Sequence, residues 1–239
     1  MSKLAWTVDD ATRPRPGRLR LRLRTGWLWL VPALAAAATT GLIMLVLPAD
    51  RTLHGLGDFA LKVSPLLFAV LAIAGFPRGP AAALGLPVLG VIFYMGFIDS
   101  WSFIQVAHLA DAEAGSTAQA QFSEYYRFAT FVNAFTVLFA LFTFRMGGAS
   151  AAQVLKLGLS GSLVVISGLN DLTMWAIYPW PEGTRPAVFA WASHVGVFLG
   201  RTPALPDMLL FVAAHLCLVL LVLRLPFDRW LEAARKRLA

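Results

Sequence analysis

Long apolar runs recur along this chain, and they decide what it can fold into. Segments at 27–47, 59–76, 125–144, 157–178 and 207–225 are dominated by aliphatic, aromatic and small residues. A sixth, 81–107, is apolar to Ile98 and continues as DSWSFIQVA. Each meets or approaches the roughly 20 residues that a helix needs to cross a bilayer. In hydrocarbon, backbone N–H and C=O groups must pair within their own segment, which selects helices. Composition agrees: 58% of residues are hydrophobic, mean hydropathy is +0.69, and 14% are charged, against about 25% in soluble domains. The expected fold is an all-α, polytopic membrane helix bundle of six transmembrane helices, forming one domain over 27–225.

The region 187–200 is the exception. Its apolar run of 14 residues, AVFAWASHVGVFLG, lies between PWPEGTRP and RTPALP. Runs of that length are re-entrant or interfacial more often than spanning.

The net charge of +7 is concentrated in two tails, which speaks for membrane topology and not for nucleic acid. Residues 1–26 carry Lys3 and six arginines, with Arg18 to Arg24 alternating with leucines. Such an arm lies on anionic headgroups, at about 1 kcal/mol per basic residue, or docks a protein partner. Residues 226–239 read as a basic amphipathic surface helix. The lone cysteine, Cys217, excludes an intrachain disulfide.

Charge also orients the spans. With six spans, fifteen of the twenty Lys and Arg residues fall on one side, together with both tails. Nine of the thirteen acids fall on the other. By the positive-inside rule the expected location is the plasma or inner cell membrane, with both termini cytoplasmic. A seventh span at 187–200 would move the C-terminal basic residues to the acidic side.

This topology collects polar residues in the outer half of the bilayer. Asp171 stands seven residues from the outer end of its segment, about 10 Å deep at 1.5 Å per residue. Asp99, Asn133 and His215 sit at similar depth. Read as one continuous helix, 157–178 places Ser167, Asn170, Asp171, Met174 and Tyr178 on one face. Intramembrane carboxylates cost about 2.5–3.5 kcal/mol at a helix centre on insertion scales, turn inward and pair. The expectation is an outward-facing pocket with Asp171, His215 and Asn133 as catalytic candidates. Asp99, Asn170, His194, Lys62 and Trp175 are the binding candidates, with His194 as a lid. The structural alternatives are an Asp171 ion pair with Lys62 or His215, and interhelical hydrogen bonds from Asn133 and His215.

Motifs narrow the chemistry little. Gly158-Leu159-Ser160-Gly161 resembles the G-x-S-G of rhomboid intramembrane proteases over four residues. Ser160 falls at the cytoplasmic end, far from His215, whereas nucleophile and base must lie within about 3 Å. No H-E-x-x-H or H-x-x-E-H spacing marks a metal site, no metal ligands are assigned, and no motif selects a cofactor. Three readings remain. One is a membrane-embedded enzyme in which Asp171 does acid/base work on a prenyl- or lipid-like amphiphile. Another is a non-catalytic membrane subunit or transporter component. The third is a small-ligand or metal sensor, for which His194, His215 and Asp171 offer N and O ligands.

Overall fold

The computed structural model describes residues 27–50, 52–77, 90, 93, 98, 101–102, 116–178, 180–182 and 184–238. The third expected span, 81–107, and the N-terminal tail therefore fall largely or wholly outside the described residues. Among these residues the fold is all-helical, with one isolated antiparallel bridge between Val188 and Ala204. Helices Leu56–Gly75 and Leu205–Arg224, and Gln121–Met146 within a longer helix, are long and apolar enough to cross a membrane. A bent pair, Ala151–Val165 with Leu169–Ile177, adds a fourth if it acts as one broken span.

Helix α1 (Leu30–Gly41) continues as a π turn, Leu42–Val46. Together they run about 25 Å at 1.5 Å per residue, short of the roughly 30 Å hydrocarbon core. α1 packs along α2 (Leu56–Gly75). The Ala33–Ala37–Gly41 ridge suggests close contact along its length, but a Cβ on Gly41 would meet nothing within 4 Å. The close approaches are elsewhere. A Cβ on Gly75 would lie 3.2 Å from Trp29 Cβ, and one on Gly158 would lie 2.5 Å from Val70 Cγ1.

Pro65 sits inside α2 and cannot donate to the Leu61 carbonyl four residues back. The Ser64 hydroxyl donates to that carbonyl instead, at 2.9 Å. The group that proline orphans is thus satisfied within the helix, as an apolar surrounding requires.

α3 spans Ser116–Met146. A short turn with Gly148 at φ +113° returns the chain into α4 (Ala151–Val165). The segment Arg145–Lys156, expected as a connector, is mostly helix. Ser150 Oγ accepts from the Gln153 N–H at 3.2 Å, and Gln153 Oε1 accepts from the Ser150 N–H at 2.7 Å. This capping box starts α4 six residues before the expected boundary. Val70, Ala74, Leu141, Val154 and Leu155 form the core where α2, α3 and α4 meet. The amphipathic α8 (Phe227–Leu238) lays Phe227 and Leu231 on that core.

Two arginines tie loop carbonyls to α3. Arg127 donates to Leu47 O at 2.9 Å and to Glu124 Oε2 at 2.6 Å. Arg145 donates to Ala149 O at 2.7 Å and to Phe76 O at 3.1 Å.

The continuous helix expected over 157–178 is broken. α4 ends at Val165, and α5 (Leu169–Ile177) leaves at 47° to it. Gly168 takes the left-handed conformation, φ +76°, which costs glycine little. Ser167 therefore does not share a helical face with Asn170 and Asp171. Its buried hydroxyl donates to Val164 O at 2.7 Å and accepts from Leu169 N–H at 3.3 Å, filling the gap in the ladder.

Beyond α5, residues 180–182 and 184–204 form a cap. The Val188–Ala204 bridge and a Phe189 N–H to Pro203 O hydrogen bond of 2.8 Å close its base. The cap contains α6 (Ser193–Leu199), about 10 Å long and too short to span. α7 (Leu205–Arg224) follows. Phe189, Ala192, Val195 and Met208 make a second buried cluster, joining the cap to α5 and α7.

Candidate functional site

The break at Ile166–Gly168 builds the site. It places Asp171 in the first turn of α5, where a carboxylate faces unpaired helix N–H groups. A Cβ on Gly168 would stand 3.0 Å from Met208 Cε and 3.3 Å from His194 Nε2. The missing side chain thus lets α6 and α7 close on the break. His194 arrives from the second position of α6, with Nε2 3.7 Å from Asp171 Oδ2. Their side chains keep only 20% and 13% of their exposure. His194 Nε2 is fully buried and makes no hydrogen bond. At 3.7 Å the pair is in electrostatic contact but beyond hydrogen-bond length.

His215 completes the cluster from α7. Its Nδ1 donates to Phe211 O at 2.9 Å, which orients the ring. Phe211 lies between the imidazoles, with ring centroids 4.4 Å from His215 and 6.4 Å from His194. Burial, aided by the nearby His215, pushes His194 down to about 4 from 6.5. A buried imidazole is therefore neutral at pH 7.

The other expected site residues lie elsewhere. Lys62 does not pair with Asp171. Its Nζ donates to Asp50 O, Thr52 O and Asp58 Oδ2 at 3.1–3.2 Å. These oxygens sit on its own turn and the preceding loop, so the ammonium keeps to that end of α2 and does not cross to α5. Asp58 Oδ2 also accepts from His54 N–H, and His54 pairs with Asp50 at 2.6 Å. The His54 hydrogen bond and the Thr52 N–H hold Asp50 below the usual carboxylate range.

Asn133 and Asn170 are exposed and line a separate groove of about 840 Å³ between α3 and the α4–α5 break. Neighbouring faces of α3 are taken: Phe135 meets Phe93, Phe128 meets Trp101, and Leu138 and Leu141 enter the first core. Asn133 is left on the remaining face, away from Asp171. On α5, Asn170 and Thr173 face the groove, while Leu172 and Trp175 enter the cap cluster.

Trp175 is a clamp. Its Nε1 donates to Pro186 O at 2.9 Å, its ring lies 5.7 Å from Phe189, and the Arg185 guanidinium sits 4.9 Å over it. Asp99 lies outside the described residues. Ser160 is buried with no hydrogen-bond partner for its hydroxyl.

Sequence reasoning missed Gly168, Met208 and Phe211, which shape the site, and the Arg201–Asp207 pair beside it. Arg201 reaches both oxygens of Asp207 at 2.6–2.7 Å, and Asp207 also accepts from Ala204 N–H at 2.8 Å. The Ser167-Gly168 dipeptide was the available signal for the break, since glycine commonly ends helices. Among the described residues, no cluster of three or more His, Cys, Asp or Glu forms a metal site. The chain matches no family model, curated protein or solved structure.

Proposed function

We propose that this is a multi-pass membrane protein of six spans with both termini cytoplasmic, acting as a non-catalytic, proton-responsive component of a transporter or larger membrane assembly. Asp171 and His194 form its working contact: a latch between the broken span and the cap. The observation that carries this reading is the buried 3.7 Å approach of Nε2 to Oδ2, with Nε2 otherwise unpartnered. A polar group buried without a partner is costly. Catalysis on an amphiphile would need Asp171 to face a cavity large enough for substrate. The 840 Å³ groove is lined by Asn170 and Thr173 and not by Asp171, which favours the non-catalytic reading.

The histidine's share of the latch has a definite sign with pH. Docked, His194 is held neutral below its ordinary pKa of 6.5. The undocked cap binds more protons between about pH 4 and 6.5. The contribution of His194 to docking is therefore fully present above that window and is lost as pH falls through it. An ionised Asp171 would compensate a charged imidazole; an amide would not.

The test uses the full chain in vesicles, with Cys217→Ala as background and Ala192→Cys, buried where the cap meets α5 and α7, as reporter. Maleimide labelling is followed from pH 8 to pH 4.5 and expressed relative to the unfolded chain at the same pH, because the thiolate that reacts becomes scarcer with acidity. Labelling should rise with acidity, and Asp171→Asn should move that rise to higher pH. His194→Gln should flatten the profile. Identical pH profiles in all three proteins would refute the latch.

A further inference from the structure

The groove between α3 and the α4–α5 break has chemistry of its own, independent of the latch. Its walls are mainly apolar, with a few polar side chains set among them. Val164 and Val165 line the end near the break. On α5, Asn170 and Thr173 are interspersed with Leu169, Met174 and Ile177 as far as Tyr178, and Asn133 joins the lining from α3. The side chains of Asn133, Asn170 and Thr173 make no hydrogen bonds among the described residues. No Asp, Glu, Lys or Arg is among the described lining residues. An unpartnered amide facing hydrocarbon loses the hydrogen bonds that water would give it. Two that line one groove from different helices call for an occupant that both donates and accepts. The volume, about 840 Å³, falls within the range of sites that hold small organic molecules, roughly 300–1,000 Å³.

We propose that this groove binds a neutral amphiphile, an uncharged lipid with a hydroxyl or carbonyl head. Its chain lies on Val164 and Val165, and its head takes the amides of Asn133 and Asn170. The absence of charge among the described lining residues argues against a phospholipid headgroup, whose phosphate calls for Arg, Lys or helix N-terminal donors. The unpartnered amides argue against a second copy of this chain. A facing helix would set its own apolar side chains against Asn170 and Thr173 unless it carried matching amides in register.

The experiment uses the full chain in vesicles containing a trace of a diacylglycerol bearing a diazirine on one acyl chain. A parallel sample contains phosphatidylglycerol with the same labelled chain. After irradiation, adducts are mapped by mass spectrometry on α4–α5 and on the exposed Leu209, Leu210 and Leu221 of α7. The neutral probe should label Val164 and Val165 at least five-fold above α7, and excess unlabelled diacylglycerol should compete. The anionic probe should label both surfaces alike. Asn133→Leu with Asn170→Leu should abolish the excess at α4–α5 while α7 labelling and the unfolding temperature hold. Equal labelling of groove and α7 by the neutral probe would mean ordinary annular lipid and overturn the site. So would protein–protein cross-links through Asn170→Cys, which would assign the groove to a second copy. Either result would leave the Asp171–His194 latch standing.

Discussion

Gly168 is the residue on which the site turns. Its positive φ breaks α4 from α5, and its missing side chain makes room for His194 and Met208. Gly168→Ala adds left-handed strain, about 1–3 kcal/mol, and a methyl 3.0 Å from Met208 Cε. The expected outcome is a lower unfolding temperature in detergent, with hydrogen exchange rising first in 186–204. Unchanged exchange there would mean that the break does not hold the cap. The residue scale is also where the sequence was least legible. Asp171 and His194 stood out because ionisable groups are rare in apolar segments. Their approach to 3.7 Å depends on a bend that a 3.6-residue period read straight through. Lys62 fails as a partner for a related reason: the oxygens of its own turn outcompete a distant carboxylate.

At the scale of elements, α4 begins with a signal the sequence carried in plain view. Ser150 and Gln153 form a reciprocal cap, yet the basic residues around them suggested a loop. Ser150→Ala should cost about 1 kcal/mol, read as a fall in the unfolding midpoint. Ser150→Asp should restore most of it, because an acid at a helix start satisfies the same N–H groups. Should Ser150→Ala prove silent, α4 would owe its start to packing against Val70 and Leu141 alone. The cap element was legible in outline. Its length and the charge balance argued against a span, and its flanking prolines against a long helix. The closure by Val188 and Ala204 was not, since a single bridge between irregular segments leaves no periodic trace.

At the scale of the whole molecule, the apolar runs made a helical fold compatible with a membrane readable from sequence, with three or four segments long enough to cross. Arg127 and Arg145 supply a ruler. They are eighteen residues apart on α3, about 27 Å along the axis, close to the thickness of a hydrocarbon core. If they mark its two faces, a cysteine at residue 149 should react only from the cytoplasmic side and one at residue 50 only from outside, in intact cells lacking Cys217. Reaction of both from one side would overturn the six-span orientation. The closed base of the cap has a kinetic consequence. Because Val188 and Ala204 hold the strand ends together, His194 cannot diffuse away when it leaves Asp171. Short tethers of this kind keep the local concentration of a released group near the millimolar range. Re-docking is then a first-order event whose rate is indifferent to how much protein the membrane contains, and added imidazole would compete only at concentrations of that order.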